Sequence, residues 1–479
     1  MMQQQFDYKN KWLVLATTGM GIFLATVDGS IVNVALPTLV NSLNTDFSVI
    51  QWVVLSYLLT VTTLMLSIGR LGDMIGKKKL YAVGFVVFTT GSVLCGLSPS
   101  VYWLIAFRVI QAIGAALVMA LGMAIVTEAF PPNERGKALG VSGAIVSVGI
   151  AIGPSLGGVI LSFLSWRWIF LVNIPIGIVG TLMVLKFVQS FKPKGKQKFD
   201  YQGAITLFFC ILCLLLGLTF GQKQGFFKPS VFILLGLWFL FLLLFIRIEK
   251  KSSHPMIQLG LFKNNLLSVN LINGFIAFIG VAGTIILLPF YLQNILGHPT
   301  IVVGLLLCVV PVSLGISSPI AGILSDRFGS ESISTFGLIV VLIGFYTAST
   351  LTADTSMLGY IVRMFPLGIG MGIFQSPNNS AIMGAVPKEH LGIASGMISV
   401  SRTLGQTVGT SLLGAVWAGR TFYYAGFTHP EGATKAPVFS QVAALQETFW
   451  VTVALILFCL ILSFWKLYLR RQVPEKSSH

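Results

Sequence analysis

The stretch Val27-Asp28-Gly29-Ser30-Ile31-Val32-Asn33-Val34-Ala35-Leu36-Pro37 sets a carboxylate and an amide inside a run otherwise apolar enough to cross a bilayer. Residues 12–27 before it read WLVLATTGMGIFLATV, which puts Asp28 in the middle or outer half of a spanning helix. An unpaired ionised acid at that depth costs at least ~2.5–3.5 kcal/mol. Asp28 is therefore a candidate functional residue; the plainer alternative is an acid that only ties neighbouring helices together.

The rest of the chain shares that apolar character. Of its 479 residues 55% are hydrophobic and 10% charged, whereas soluble domains carry about 25% charged residues. An all-α integral membrane protein is expected. Apolar windows of about 20 residues, the length that crosses the hydrocarbon, recur fourteen times, near 12–36, 50–68, 80–97, 102–127, 137–164, 166–187, 203–220, 231–248, 267–292, 302–324, 333–351, 357–385, 393–417 and 442–468. No cleavable leader is expected, because residues 1–11 are polar and the apolar run after them is too long for a signal core.

The net charge of +16 follows topology rather than a nucleic-acid surface. With the N-terminus inside, inner loops hold Lys9, Lys11, Arg70, Lys77, Lys78, Lys79, Arg135, Lys137, the lysines of 186–198, the basic residues of 247–251, Lys263, Arg327, Lys388 and the basic tail. Outer loops hold only Arg167, Lys223, Lys228, Arg420 and Lys435. This asymmetry expects both termini in the cytoplasm. Cys95, Cys210, Cys213, Cys308 and Cys459 all fall in apolar spans, so neither a disulfide framework nor a metal site is expected. His254, His298, His390, His429 and His479 lie in loops or at the tail, which disfavours an intramembrane enzyme, and no phosphate-binding G-x-x-x-x-G-K-[ST] loop implies nucleotide. No cofactor is expected.

The chain also repeats itself. Gly69-Arg70-Leu71-Gly72-Asp73-Met74-Ile75-Gly76-Lys77 is echoed by Gly322-Ile323-Leu324-Ser325-Asp326-Arg327-Phe328-Gly329, 253 residues on. At nearly the same offset Arg108 matches Arg363, Val146-Ser147-Val148 matches Ile398-Ser399-Val400, Gly153 matches Gly405 and Gly157 matches Gly409. Transporter folds are often built from such repeats. The expected organisation is a six-helix bundle over 1–191, a linker with two inserted spans over 192–265, and a second six-helix bundle over 266–479.

Four motifs in order resemble the major facilitator superfamily and, within it, the fourteen-helix drug:proton antiporters: Asp28 to Pro37, the glycine-basic loop Gly69 to Lys79, Arg108-Val109-Ile110-Gln111-Ala112-Ile113-Gly114, and Gly149-x-x-x-Gly153-Pro154-x-x-Gly157-Gly158. The segment Trp166-Arg167-Trp168-Ile169-Phe170-Leu171-Val172-Asn173-Ile174-Pro175-Ile176-Gly177 is similar to that branch too. The resemblance implies two rocking bundles, alternating access and exchange of a small molecule for protons across the cell membrane. This chain departs in having Ala112 where the pattern has Gly, and in lacking further acids in its later spans.

Residue positions suggest the chemistry. Asp28 lies eight residues before Leu36 and Arg108 seven after Val101, which matches their depths at roughly 10–12 Å from the outer ends. An acid and a guanidinium at one depth form a switchable pair: with Arg108 close the carboxylate stays ionised, and with Arg108 withdrawn desolvation favours its protonated form. Arg108 could instead serve backbone carbonyls. Asn33, Gln51, Trp52, Tyr57, Gln111, Asn273, Gln293, Gln375, Asn378 and Asn379 could supply polar or aromatic contacts to substrate, and Arg363 and Arg402 could attract an anion. Asp73, with Gly69, Gly72 and Gly76, is expected to gate by pairing with Arg70, Lys77 or Arg135 or by capping a helix; the alternative is a solvated loop charge. Asp326 is its repeat counterpart. Gly149, Gly153, Pro154, Gly157 and Gly158 suit a closely packed, bent helix. The expected function is a monomeric, proton-coupled exporter of amphipathic compounds in contact with membrane lipid. The alternatives are a dedicated exporter or proton symporter of one metabolite or lipid, and, from another class, a non-transporting receptor.

Overall fold

The computed structural model describes residues 10–131, 135–189, 200–224, 228–252, 259–386, 391–427 and 432–472. Within those segments the side chains of Arg70, Asp73, Arg135 and Asp326 lie outside the described set, and with them the ion pairs and caps expected of Asp73 and Asp326.

The described chain is helical throughout: α1 (Lys11–Ser42), α2 (Phe47–Ile75), α3 (Lys77–Gly96), α4 (Val101–Ala129), α5 (Arg135–Phe163), α6 (Trp168–Leu171), α7 (Asn173–Phe187), α8 (Tyr201–Gln224), α9 (Pro229–Lys251), α10 (Asn265–Phe290), α11 (Thr300–Leu307), α12 (Val309–Phe328), α13 (Ser330–Ala348), α14 (Met357–Gly384), α15 (Leu391–Ala425) and α16 (Val438–Gln472). Helices are what such a sequence must form in lipid, because each backbone N–H and C=O has to be satisfied within its own segment. Hydroxyls obey the same demand: Thr18, Thr60, Thr63 and Thr407 donate back to carbonyls four residues earlier. Prolines mark the interruptions. Pro175 cannot donate to Leu171 and Pro311 cannot donate to Leu307, and the chain breaks between α6 and α7 and between α11 and α12 at those points.

Twelve helices among the described residues are long and apolar enough to cross a membrane, with a shorter apolar stretch, Val148–Phe163, in α5. The remaining long helix, α15, is too polar to join the twelve. Only 11% of the apolar window of α9 is buried, and Phe232, Ile233, Phe239 and Leu240 stand exposed along it. Such a surface suits lipid, not water.

Contacts divide the chain into two units, one comprising Met1–Leu214, Gly236–Met256 and His298–Leu305, the other Leu215–Leu235, Ile257–Gly297 and Leu306–His479. Each is built the same way. In the first, α1 packs on α5, and α4 packs on α2 and α3; in the second, α10 packs on α15, and α14 on α12 and α13. The turn between α2 and α3 passes through Gly76 at φ 108°, and that between α12 and α13 through Gly329 at φ 86°. Both values lie in the region that a side chain disfavours.

Glycine also sets how close α3 comes to α4. A Cβ on Gly91 would sit 2.6 Å from the backbone N and Cα of Gln111, and one on Gly344 would sit 2.5 Å from the same atoms of Leu367. These equivalent contacts give the repeat its register: α3 and α13 are offset by 253 residues (344 − 91) and α4 and α14 by 256 (367 − 111). Arg108 therefore corresponds to Met364 (108 + 256). The match to Arg363 drawn from the sequence is one residue out of register, because the one-residue difference in offset rotates Arg363 off the equivalent face.

Gly91→Val is expected to lower thermal stability by about 1–3 kcal/mol or more through overpacking, whereas Gly236→Ala, with open space around its Cβ, should stay within about ±0.5 kcal/mol. Apparent Tm of the purified full chain checks both.

Candidate functional site

Asp28 sits in α1 with no solvent exposure. Around it α3, α4 and α7 each contribute a polar side chain. Arg108 Nη1 donates to Asp28 Oδ2 at 2.6 Å, while Oδ1 accepts from Gln111 Nε2 at 2.8 Å and from Asn173 Nδ2 at 2.9 Å. Ser92 Oγ closes the ring, accepting from Gln111 at 2.8 Å and from Asn173 at 3.4 Å. Arg108 also reaches Gln111 Oε1 at 2.7 Å and the Val53 carbonyl at 3.1 Å, so the pairing role and the backbone-donor role read from the sequence are both filled. Tyr57 lies flat beneath the guanidinium, 4.1 Å from its ring centroid.

The elements explain the assembly. Asp28 and Arg108 meet because their helices pack together at matched depth. Gln111 follows one helical turn after Arg108, on the same face, and Gly91 lets α3 bring Ser92 alongside. The break before α7 places Asn173 at that helix's first position. Burying two charges costs several kcal/mol per ion, and mutual attraction with full hydrogen bonding offsets this. Here the carboxylate is well supplied, and one acceptor, Asn173 Oδ1, has no donor among the described residues.

Burial itself is not confined to Asp28, since Glu249 and Glu331 are also buried, but these stand near the ends of α9 and α13. Among its described residues the second unit has no counterpart to the cluster. Gly157 packs against Ile31 as Gly409 packs against Ile279, an offset of 248 (279 − 31) that maps Asp28 onto Ile276. Ile276, Phe345, Met364 and Leu367 thus occupy the places of Asp28, Ser92, Arg108 and Gln111, and all four are buried.

Other residues singled out from the sequence lie elsewhere. Asn33 donates to the Gly29 carbonyl, Gln51 to that of Phe47, and Asn273 to Ser463 Oγ across α10 and α16; Trp52 is half-buried on α2. Gln293 lies in the single wide turn Tyr291–Ile295 that follows Pro289. Arg363 is held at the start of α14 by Thr350 and the Gly359 carbonyl. Gly149, Gly153 and Gly157 pack on α1, while Gly158 packs on Thr300 and Gly304 at the start of α11, within the first unit. Gly72 packs against Leu121, and Lys77 pairs with Glu128 beside it. Gln375, Asn378, Asn379 and Arg402 come together in a narrow cleft in the second unit, walled by Phe278 and Phe374. Sequence reasoning assigned no role to Ser92 or Asn173; an amide just ahead of a proline within an apolar span was the available signal for the latter.

The first unit is thus a helical bundle that encloses an acid neutralised by its neighbours. Residues 18–410 match the Major Facilitator Superfamily, and the chain belongs to that family. It is 36% identical over 456 residues to the riboflavin transporter RibZ of Clostridioides difficile (strain 630), covering 95% of this chain and 97% of that protein. It is 33% identical over 425 residues to the multidrug transporter protein MdtP of Bacillus subtilis (strain 168), covering 88% and 78%. A bacterial homologue of the human lysosomal transporter Spinster, solved inward-facing and unoccupied, shares the fold at TM-score 0.67 and 17% identity, over 96% of this chain and 97% of that one.

Asp28→Asn and Arg108→Gln should each destabilise by about 3–5 kcal/mol, because each leaves a buried partner uncompensated. The double variant should lose less than the sum. A double-mutant cycle on apparent unfolding free energies checks the coupling.

Proposed function

We propose that the chain is a proton-coupled secondary antiporter that exports amphipathic small molecules by alternating access. The observation that carries this reading is the buried Asp28 carboxylate, held by Arg108, Gln111 and Asn173. While ionised it neutralises Arg108. A proton on Asp28 removes the charge that holds Arg108 and creates an O–H that needs an acceptor. Asn173 Oδ1, which has no donor among the described residues, can take that hydrogen bond once its amide turns. Proton binding thus exchanges one hydrogen-bonded arrangement for another around a single carboxylate, and a ligand that prefers one arrangement is coupled to the proton.

The topology follows. We read α5 and α15 as two further crossings, making fourteen, with six-helix bundles at 1–191 and 266–479 and an inserted pair at 192–265. At 35 residues, α15 is about 50 Å long by its helical rise, enough to span despite its polarity. The Lys and Arg distribution supports a multi-pass protein of the cell (plasma or inner) membrane with both termini in the cytoplasm. Asp73 and Asp326 serve as gating acids in this scheme, and the protein acts as a monomer.

One observation favours a second reading, a transporter dedicated to a single compound: the relative at 36% identity over almost the whole chain is named for riboflavin.

Proteoliposomes loaded with riboflavin or ethidium distinguish these readings. An imposed proton gradient should accelerate wild-type efflux, and Asp28→Asn should abolish the acceleration. Undiminished gradient-driven efflux by Asp28→Asn contradicts the coupling, and movement of riboflavin alone selects the dedicated transporter.

A further inference from the structure

Two facts about charge stand in opposition within this molecule. The acid at the core of the first unit is fully occupied by Arg108, Gln111 and Asn173, so it offers no free negative charge to a cation. In the second unit the cleft that holds Gln375, Asn378 and Asn379 also holds Arg402, and no acid lines it. The Arg402 guanidinium has no hydrogen-bond or ion-pair partner among the described residues, although it lies on a helix packed against α10. An unpaired cation at membrane depth is costly, so Arg402 is positioned to gain by accepting an anion.

We infer that this cleft is the cargo site and that it takes an aromatic oxyanion: a ring body bearing one carboxylate or a comparable acidic group. Arg402 holds the oxyanion through charge-assisted hydrogen bonds, to which its planar fork is suited. Asn378 spends its Nδ2 on the Asn270 carbonyl at 3.2 Å, leaving Oδ1 buried and without a donor among the described residues; it accepts from an N–H or O–H of the ligand. Phe278 and Phe374 face the ring. The inference rests on the reading of the chain as an alternating-access transporter and reverses the cationic preference that a deep acid alone suggests.

The test uses the full chain in phosphatidylcholine nanodiscs and three probes with one body: 2-naphthoate, 2-naphthamide and 2-naphthylmethylammonium, titrated by calorimetry. Wild type should bind the carboxylate about tenfold tighter than the other two, equivalent to about 1.4 kcal/mol. Arg402→Gln should erase the preference, Arg402→Lys should keep its direction, and both should match wild type in apparent Tm. Equal or tighter binding of the ammonium, no binding of any probe at millimolar concentration, or a preference that survives Arg402→Gln overturns the inference. Suppression of naphthoate binding by phosphatidylglycerol in the nanodisc assigns the site to a lipid headgroup and overturns the cargo reading. A naphthoate preference without Asp28-dependent transport removes the transporter reading and leaves the anion site; Asp28-dependent transport without the preference removes the anion site alone.

Discussion

A carboxylate cannot remain ionised inside a membrane protein without partners, and the first unit is arranged around that requirement. Asp28 draws a guanidinium from α4, amides from α4 and α7 and, through them, a hydroxyl from α3. The close helix contacts have their meaning here: Gly91 allows α3 to come near enough for Ser92 to reach Gln111, and the proline-induced break delivers Asn173. Packing and electrostatics are the same constraint seen at two scales. A change that spreads α3 from α4 loosens the ion pair without touching either charged residue.

The internal repeat shows what is general to this architecture and what is specific to its site. Both units use the same helix pairings and the same left-handed glycine between their second and third crossings. The polar cluster is present in only one of them. Ile276, Phe345, Met364 and Leu367 fill the equivalent volume in the other unit with apolar side chains, which shows that the scaffold packs well without buried charge. The fold itself therefore does not require the polar set of the first unit. The second unit instead brings Gln375, Asn378, Asn379 and Arg402 together in a cleft of its own.

Much of this was legible in the sequence because membrane depth converts directly into residue count. Asp28 and Arg108, counted from the ends of their spans, were placed at one level, and the structure brings them to 2.6 Å. Helix identities and the repeat followed from apolar windows and glycine spacing for the same reason. What escaped depends on rotation about helix axes and on backbone breaks, which windows do not encode. Asn173 and Ser92 join the cluster through such details, and Arg363 lost its equivalence to Arg108 through a single residue of register. Span counting met its limit at α15, where glycine and hydroxyl content lowers the apolar signal of a long helix.

The central claim is that Asp28 is the group that takes and gives up the proton. Infrared difference spectroscopy of the full chain, recorded as pH is lowered, observes this directly through the carbonyl stretch of a protonated carboxylic acid in an apolar setting. The account predicts a band that grows with falling pH and vanishes in Asp28→Asn. A protonated-carboxyl band that persists unchanged in Asp28→Asn would contradict it.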